Sequence, residues 1–378
     1  MDILVLDPEF NRKAVIDTYE SLIWTDRYYG YGDFELYLPF NSNIINTIYQ
    51  DYYLQINDSN ATMIVESIKI TTDSESGNHI IITGRSLESI LERRVIWPQI
   101  TVKGTIYQAM KTFINDAIIN PTKTKFKQDT YIKRKIDNFI FEDCLDPEIL
   151  SIKLEPTEFT GDVLYDVILD WCQSNEIGFD VILYENYEYN GELLHNQFVF
   201  RLYKGLDRTY EQSENRLIVF SPDYDNIIST DYTDDTSPWR NYAIVAGEGE
   251  STQREVVIYG DLNSSGLGHR ELYVDARDIQ SAELEQMSYK EALELRGAEK
   301  LNECLKTIEF FGEVDAKRQF IYGIDFGMGD IVEITNEYGI QGAARVIEYI
   351  HNDSESGTSA YPTFESIQDY GYESEEDE

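Results

Sequence analysis

Apolar and polar residues alternate along the first hundred residues of the chain, which is the pattern of β-strands that bury one face. Polar turns separate these stretches, and short strands at this spacing predict a sandwich or barrel over residues 1–98. The segment SLESILERRVIW closes the region with a helix behind a serine N-cap, since Leu87, Ile90 and Leu91 share one face. The predicted strands lie in MDILVLD, KAVIDTYESLIWTDRY, GDFELYLP, YYLQIND, MIVESIKIT and HIIITGRS.

The spacing becomes helical in residues 99–210, where apolar residues of two segments recur every three or four positions. Gly178 follows the second helix, and strands follow in FDVIL and NQFVFRLYKG, while a polar, Lys-rich segment occupies 121–135. We therefore expect a small α/β middle domain. The apolar helical faces comprise Ile106, Met110, Phe113, Ile114 and Ala117 in the first helix and Val163, Val167, Ile168 and Trp171 in the second.

Strand patterns return over residues 211–365, interrupted by a long helix at about 281–307. Ser281 is its expected N-cap, with Glu283 and Glu285 in the first turn. Residues 366–378 form a short acidic tail that we expect to be disordered. The whole pattern predicts a mainly β, α+β protein with β-domains flanking a small α/β domain. The apolar stripe of the long helix comprises Leu284, Met287, Leu295, Ala298, Leu301 and Leu305.

The short sequence DSESG occurs at 73–77 and again at 353–357. Chance explains a five-residue match in an acidic, Ser-rich chain, and any hairpin of such a protein can end in a Ser/Gly turn. Here, however, each copy follows a strand, a polar or Gly-bearing turn and a second strand, so we predict two copies of one β-domain. The alignment pairs Leu54 and Ile56 with Val332 and Ile334, and Val65, Glu66 and Ile68 with Ile347, Glu348 and Ile350.

The composition is strongly acidic, because 31 Lys and Arg face 70 Asp and Glu and the net charge is −39. This charge repels nucleic acid and anionic membranes, which argues against specific DNA binding but permits a passive wall beside DNA. We expect no membrane span and no signal peptide. The chain has 28 Tyr, which suit half-buried strands and wet interfaces. Cys144, Cys172 and Cys304 are far apart, so we expect reduced packing residues in a protein made in the cytosol.

Several segments resemble the siphophage tail hub, or tail-tip, family, which is related in architecture to the central baseplate hub proteins of contractile-tailed phages. The resemblance extends over roughly residues 1–365 and is strongest in the first hundred. These segments are LIWTDRYYGYGDFELYLP (22–39), MIVESIKITTDSESGNHIIITGRSLESILERRVIW (63–97), GHRELYVDARDI (268–279) and the later GMGDIVEI, ARVIEY and PTFE. They identify a family and carry no catalytic motif.

The resemblance implies two tail-tube-like β-barrel or sandwich domains in each subunit of a homotrimer. Six similar domains would then form a closed ring of pseudo-six-fold symmetry at the distal end of the tail tube. The implied partners are a tail tube protein or distal tail protein ring, the C-terminus of the tape-measure protein, and tail fibre, spike or receptor-binding proteins. The implied location is the virion, after synthesis in the host cytoplasm.

The same resemblance also implies a role for the high negative charge, because phage DNA must pass through the lumen of such a ring. Acidic side chains on the wall would keep DNA from adhering, whereas a solvated acidic surface that aids solubility is the alternative. Seven residues are the interface candidates, with core packing as the alternative for the first five and a surface role for the last two. They are Trp24, Arg27, Tyr28, Tyr29, Phe34, Arg345 and Glu348.

Motifs of catalysis or metal binding are missing from the sequence. It has no HExxH, GxSxG, Walker-type loop or CxxC. DLNSSG resembles the start of a calcium-binding loop with Asp261 at its first position. The twelfth position, which holds a bidentate acid in such loops, is Leu272 here. GIDFGMGD at 323–330 predicts a turn before a strand. We expect His269 to be a surface or turn residue and Cys172 to be a core residue.

The resulting expectation is a structural protein without enzymatic activity, metal, cofactor or appended enzymatic domain. Two alternatives of other classes stay open. A tail-associated enzyme that degrades the cell wall would need a clustered nucleophile or acid pair, and none stands out in the sequence. A saccharide-binding adhesion module is favoured only by the Tyr and Trp content.

Overall fold

Strands account for 44% of the protein and helices for 21% in the computed structural model, so the mainly β, α+β fold class is confirmed. Within the described residues, strands from both ends of the chain share one large sheet of 13 strands. Three smaller sheets belong to the middle and late parts of the chain. The structure describes residues 1–73, 77–121, 132–250, 254–283, 288–314, 320–335 and 341–366.

The first part of the large sheet is the N-terminal module, defined as residues 1–86. Its strands alternate as predicted, since Phe34, Leu36 and Leu38 are buried on one strand and the residues between them are not. They pack with Trp24 in a core of their own. The elements are β1 (Ile3–Leu6), β2 (Arg12–Ile16), β3 (Ser21–Arg27), β4 (Asp33–Pro39), α1 (Ser42–Ile45), β5 (Tyr53–Ile56), β6 (Thr62–Asp73) and β7 (Gly77–Ser86).

The middle unit, residues 87–203, packs its helices against two small sheets around the largest core. Ile106, Met110 and Phe113 are buried in this core, as the helical spacing predicts. A π-helical turn at Asn115–Ile119 extends the first helix. The elements are β8 (Ile100–Thr105), α2 (Ile106–Ile114), β9 (Phe139–Phe141), α3 (Pro147–Ser151), β10 (Lys153–Phe159), α4 (Leu164–Ser174), β11 (Gly178–Tyr189) and β12 (Glu192–Tyr203).

The remaining chain forms the C-terminal module, which contributes six strands to the large sheet, and an insertion between two of them. The insertion, residues 236–306, has its own three-stranded sheet, one helix and a separate core with Val245, Val257 and Leu293. In chain order the elements are β13 (Val219–Phe220), β14 (Ile227–Asp235), β15 (Tyr242–Ala246), β16 (Val256–Gly260), β17 (Glu271–Asp275), α5 (Tyr289–Asn302), β18 (Thr307–Val314), β19 (Ile331–Thr335), β20 (Gln341–Ser354) and β21 (Gly357–Ser366).

The strands around the two copies of DSESG have the same arrangement in the two modules. In each module three antiparallel strands run in sequence, β5-β6-β7 and β19-β20-β21. Each long central strand carries one β-bulge, at Glu66 and at Ile347. Both bulges lie seven positions before the end of the strand, at Asp73 and Ser354. A shared bulge at a shared position indicates that these strands are copies, because bulges are specific local features of a strand pair.

The bulges correct the alignment that the sequence suggested. Leu54 and Ile56 do correspond to Val332 and Ile334, since Leu54 pairs with Met63 and Val332 with Ala344, each three residues before its bulge. Val65, however, corresponds to Val346 and not to Ile347, so that part of the sequence alignment is wrong by one residue. The reason is the loop: Ser354 and Gly357 enclose two residues, whereas Asp73 and Gly77 enclose the three residues 74–76, which lie outside the described part.

The remaining strands extend the duplication. β4 pairs with β7 and β3 with β4, as β18 pairs with β21 and β14 with β18. These registers align residues 21–27, SLIWTDR, with residues 229–235, STDYTDD. Ser, Thr and Asp are identical at three of the aligned positions, and Trp24 is equivalent to Tyr232. The strand order β3-β4-β7-β6 is therefore repeated as β14-β18-β21-β20. The insertion stands where the N-terminal module has only the turn from Tyr28 to Gly32.

Local predictions differ from the structure at three places. The long helix begins at Tyr289 and ends at Asn302, with Ser288 as its N-cap in place of Ser281. Ser288 is followed three residues later by Glu291, which completes a capping box, whereas Leu284 follows Ser281. Leu284 and Met287 lie outside the described residues, as do 122–131 of the Lys-rich segment and 367–378 of the acidic tail.

The other two differences concern short segments. Leu87–Arg93 is a 3-10 helix, and Ser86 does not cap it but donates its hydroxyl to the buried Glu88 carboxylate. The sequence QFIYGID has a strand pattern, but the structure has no strand at 320–325; residues 323–325 form part of the turn predicted for 323–330, with a bridge between Tyr322 and Phe326.

Candidate assembly site at the junction of the two modules

The two modules are joined edge to edge, because β20 pairs antiparallel with β3. The register runs from Glu348 opposite Arg27 to Ser354 opposite Ser21. The pairing continues past the end of β3, where Tyr28 N donates to Ile347 O at 2.8 Å. Residues 321 positions apart thus face each other in one continuous sheet. This junction is the candidate site, because it is where the two copies of the repeated module contact each other within the chain.

A charged pair closes one end of the junction. Arg27 Nε donates to Glu348 Oε1 at 2.6 Å, and a second guanidinium nitrogen of Arg27 lies 2.9 Å from Asp33 Oδ2. The same nitrogen donates to Tyr31 O at 3.0 Å. Both Arg27 and Glu348 side chains are about three-quarters buried, at 28% and 25% exposure. Charge-assisted bonds of this kind are stronger than neutral ones and fix the register of the two strands.

Tyr28 connects three parts of the molecule. Its hydroxyl donates to Glu176 O of the middle unit at 2.9 Å, and its side chain is fully buried. The ring packs closely against two glycines, since a Cβ on Gly178 would lie 2.2 Å and one on Gly329 2.3 Å from Tyr28 Cε2. Only glycine lets the backbone approach the ring this closely. Burial raises the pKa of Tyr28 to about 12, so the hydroxyl keeps its proton and stays a donor.

Arg345 packs against the same cluster. Its guanidinium lies 5.5 Å from the centroid of the Tyr28 ring, within range of a cation–π contact. It donates to Gly329 O at 3.2 Å and to Glu176 Oε2 at 2.6 Å. The residue is 5% exposed. Its charge is therefore satisfied inside the protein, by the C-terminal module and the middle unit together.

A buried carboxyl and a buried imidazole face each other further along the same strands. Asp26 Oδ1 accepts from Trp24 Nε1 at 3.2 Å, and both carboxyl oxygens accept from Ser59 Oγ at 2.8 Å. Burial raises the pKa of Asp26 to about 7. His351 Nε2 lies 3.9 Å from Asp26 Oδ2 without a hydrogen bond, and burial lowers the pKa of His351 to about 4. Both residues line a cleft of about 960 Å³ between the modules.

The structure brings most of the predicted interface residues together. Arg27, Tyr28, Arg345 and Glu348, from two distant segments, meet at this junction, and the ring of Tyr29 lies 4.7 Å from that of Tyr28. Trp24 and Phe34 are different, because they are buried in the core of the N-terminal module with ring centroids 5.9 Å apart. For these two the structure therefore gives core packing, the alternative considered from the sequence.

Sequence reasoning missed Asp26, Glu176 and His351, which complete the junction. Asp26 had a signal, because it coincides with Asp234 in the aligned strands SLIWTDR and STDYTDD. Glu176 is a loop residue with φ of 53°, and it contributes its backbone carbonyl to Tyr28 as well as its carboxylate to Arg345. Nothing in the sequence around Glu176 or His351 indicates these contacts.

The residues considered for chemistry lie elsewhere. Cys172 is buried in the core of the middle unit, as predicted. His269 contacts Ser264 Oγ at 2.9 Å and Glu271 Oε1 at 3.2 Å on the insertion, and Asp261 Oδ1 accepts from the backbone of Asn263 and Ser264. Among the residues that the structure describes, no group of three or more His, Cys, Asp or Glu could hold a metal ion. None of the described helices is long and apolar enough to span a membrane.

Comparison with known proteins gives a family and a fold. The family described as Siphovirus ReqiPepy6 Gp37-like protein matches residues 2–364. No curated protein matches the sequence. Among solved structures, the tail protein from Neisseria meningitidis MC58 is 14% identical with a TM-score of 0.60, over 97% of this chain and 96% of that chain.

Two further structures are similar over nearly their whole length. The 43 kDa tail protein of prophage MuSo2 from Shewanella oneidensis is 10% identical with a TM-score of 0.57, over 96% of this chain and 98% of that chain. Prophage tail protein gp18 from Listeria monocytogenes EGD-e is 13% identical with a TM-score of 0.53, over 97% and 95%. At such low identity these likenesses establish the fold. With the family match, they confirm the resemblance to siphovirus tail proteins.

Proposed function

Because this chain belongs to the Siphovirus ReqiPepy6 Gp37-like protein family of siphovirus tail proteins, we propose that it is the tail hub. In this role three copies form a ring at the distal end of the tail tube. The ring adapts the six-fold tube, or a distal tail protein ring, to the tail tip. It surrounds or closes the channel for DNA.

The observation that carries this proposal is the repeat of one four-stranded order, β3-β4-β7-β6 and β14-β18-β21-β20, within a single chain. A three-fold object can present six near-equivalent surfaces only when each chain carries the module twice. The pairing of β20 with β3 also supplies a way for one module to follow another around a ring. Closed cyclic symmetry is the usual arrangement of such oligomers.

The ring defines the expected partners. A six-fold tube or distal ring contacts one face, and the tape-measure C-terminus together with fibre, spike or receptor-binding proteins contacts the tip. The net charge of −39 supports a lumen that does not bind the DNA passing through it. The protein is then a structural component of the virion, made in the host cytoplasm, without catalytic activity of its own.

Cryo-electron microscopy of intact tails tests the proposal. The expected map shows three copies around the tail axis at the distal end, with six copies of the repeated module in one ring. A map that places this chain outside the axis, or shows another copy number, would overturn the hub role. Wall-clearing zymography with the purified protein tests the enzymatic alternative, and the hub role predicts no clearing.

A further inference from the structure

The cleft between the modules has a wall from each of the three parts of the chain. The N-terminal module contributes the turn at 57–61, and the middle unit contributes residues of β11 and β12. The C-terminal module contributes the turn at 321–328 and residues of β20 and β21. The volume of about 960 Å³ lies at the upper end of the range of about 300–1,000 Å³ that small-molecule sites occupy. A ligand in this cleft would contact all three parts at once.

Three tyrosine rings form an aromatic wall of the cleft. The rings of Tyr322 and Tyr349 are stacked, with centroids 3.8 Å apart and an interplanar angle of 8°. The third ring belongs to Tyr203, and the guanidinium of Arg201 lies 5.4 Å from its centroid. Tyr349 is buried, whereas Tyr203 and Tyr322 are partly exposed. The cleft therefore offers two aromatic rings to a ligand, and Tyr349 supports one of them.

The hydroxyls of these tyrosines keep their protons. Burial, together with the nearby Asp180 and Tyr322, raises the pKa of Tyr203 well above its usual value. Burial, together with the nearby Asp26 and Tyr349, does the same to the pKa of Tyr322. The pKa of Tyr349 rises to about 12, mainly because the residue is buried. All three hydroxyls are therefore neutral groups that can both donate and accept hydrogen bonds.

Hydrogen-bonding capacity is left unused in this cleft. Among the residues that the structure describes, none bonds to the hydroxyl of Tyr203, Tyr322 or Tyr349. His351 lines the same cleft, is 3% exposed and has no partner for its Nε2 atom in the described part of the chain. Polar groups inside proteins are usually hydrogen-bonded, and an unpaired one costs free energy. Four neutral groups with unused capacity are typical of a site for a polar, uncharged ligand.

The buried charged groups of the cleft are already satisfied. The two oxygens of Asp180 accept from Arg201 at 2.7 and 2.8 Å. Both oxygens of Asp26 accept from Ser59 at 2.8 Å. A cationic ligand would therefore find these two carboxyl groups occupied, and the exposed Asp58, which also lines the cleft, would repel an anionic one.

We propose that this cleft binds a neutral oligosaccharide, with sugar rings packed against Tyr203 and Tyr322 and sugar hydroxyls bonded to the tyrosine hydroxyls. A pyranose ring suits such a wall because it presents C–H groups on its faces and hydroxyls around its edge. The faces pack on aromatic rings, while the hydroxyls donate and accept as the tyrosine hydroxyls do. Every residue of the site belongs to one chain, so binding does not depend on the proposed ring and adds a second function to it.

Isothermal titration calorimetry of the purified full-length protein tests this assignment. The neutral probes are cellotriose, maltotriose and triacetylchitotriose, and the charged probes are trigalacturonate and chitotriose. At least one neutral probe should bind with a dissociation constant in the millimolar range or below. The charged probes should bind at least about tenfold more weakly, because burying an unpaired charge is costly. No binding of any neutral probe at millimolar concentration, or tighter binding of chitotriose than of triacetylchitotriose, would overturn the assignment.

Conservative variants locate the binding in the cleft. Tyr203→Phe and Tyr322→Phe each remove one hydroxyl and keep the ring, and each should weaken binding of the neutral probe about fivefold, the loss expected for one hydrogen bond. Tyr210→Phe is the matched control, because Tyr210 is 64% exposed and does not line the cleft. Circular dichroism shows whether each variant retains the fold. Wild-type affinity in both cleft variants would mean that the sugar binds elsewhere and that the proposed site is wrong.

The hub role is tested separately from this site. Tails that show the three-fold ring, built from a chain that binds none of the neutral probes, would remove the saccharide site and leave the hub role in place. Saccharide binding that the two cleft variants weaken, in a chain that forms no three-fold ring, would leave the site in place and remove the hub role.

Discussion

Arg27 and Glu348 are direct cross-strand partners, and Arg27 Nε donates to Glu348 Oε1 at 2.6 Å although 321 positions separate them. This contact lies between the two copies of the repeated module. It therefore offers a direct measure of how strongly the modules hold each other. A double-mutant cycle with Arg27→Met and Glu348→Gln should give a coupling free energy of about 1 kcal/mol in denaturant unfolding, because the pair is mostly buried and charge-assisted.

The matched control for that cycle is Arg12 and Glu185, which also form an ion pair but are 69% and 75% exposed. Exposed pairs contribute little, so we expect a coupling near zero. Equal coupling in both cycles would mean that the junction pair contributes no more than a surface contact.

Gly178→Ala should destabilise the protein by roughly 1–3 kcal/mol, because the new Cβ would stand 2.2 Å from the Tyr28 ring. Gly178 does not have a positive φ, so the cost would be steric. Gly268→Ala is the control, since a Cβ there meets no atom within 4 Å. Urea unfolding of both variants measures the difference, and a similar cost for the two would argue against close packing around Tyr28.

Asp26 should make stability fall as the pH rises. Its pKa is raised by burial from 3.8 to about 7, so the folded state holds the proton more tightly than the unfolded chain. The stabilisation is complete below pH 3.8 and is lost as the pH rises through 7. Asp26→Asn removes this titration, so its stability relative to the wild type should grow by up to about 4 kcal/mol between pH 4 and 7 and then level off.

Asp17→Asn is the control for the pH series, because it removes an exposed carboxylate from the same module. His351 titrates at lower pH in the wild type, because burial lowers its pKa to about 4. We therefore expect its contribution to be small in the comparison above that pH. A stability difference between Asp26→Asn and the wild type that stays constant from pH 4 to 8 would contradict the assignment.

Ser288→Ala should cost about 1 kcal/mol, because Ser288 Oγ accepts from Glu291 N at 3.2 Å and Glu291 Oε2 accepts from Ser288 N at 2.7 Å. Ser281→Ala should cost less, since it removes an exposed hydrogen bond from the Ser281 hydroxyl to Glu248 and leaves the bond from the Ser281 backbone N–H to the same carboxylate in place. Thermal unfolding of the two variants distinguishes the helix N-cap seen in the structure, Ser288, from the one expected from the sequence, Ser281. A larger effect at Ser281 would overturn the observed helix start.

The sequence predicted most strands and the repeat because period-two alternation and a shared hairpin are local signals. It could not predict that β20 would pair with β3, since strand pairing at this separation depends on the whole fold. The match of SLIWTDR with STDYTDD was available, but three identities in seven residues become meaningful only after the registers align them. The one-residue error at Val65 arose because loop length and bulge position cannot be separated in a sequence.

The candidate site was predicted in part for a related reason. Arg27 and Tyr28 lie in a segment that resembles a known family, and Arg345 and Glu348 in its repeat. Their partners Glu176 and Gly329 lie in turns, where no periodic pattern exists, and Gly178 is the first residue of β11. A glycine permits the backbone to approach an aromatic ring closely. The glycine alone does not predict which ring it contacts, because that depends on the three-dimensional packing.

The insertion at residues 236–306 changes what the proposed ring offers to its neighbours. It replaces a five-residue turn in one module of each pair, so it would recur at every second position around the circle. Any surface that includes it presents three identical sites, whereas surfaces that exclude it present six nearly identical ones. A single elaborated loop would thereby convert hexagonal order into triangular order, and the change of symmetry along a tail would be encoded within one polypeptide.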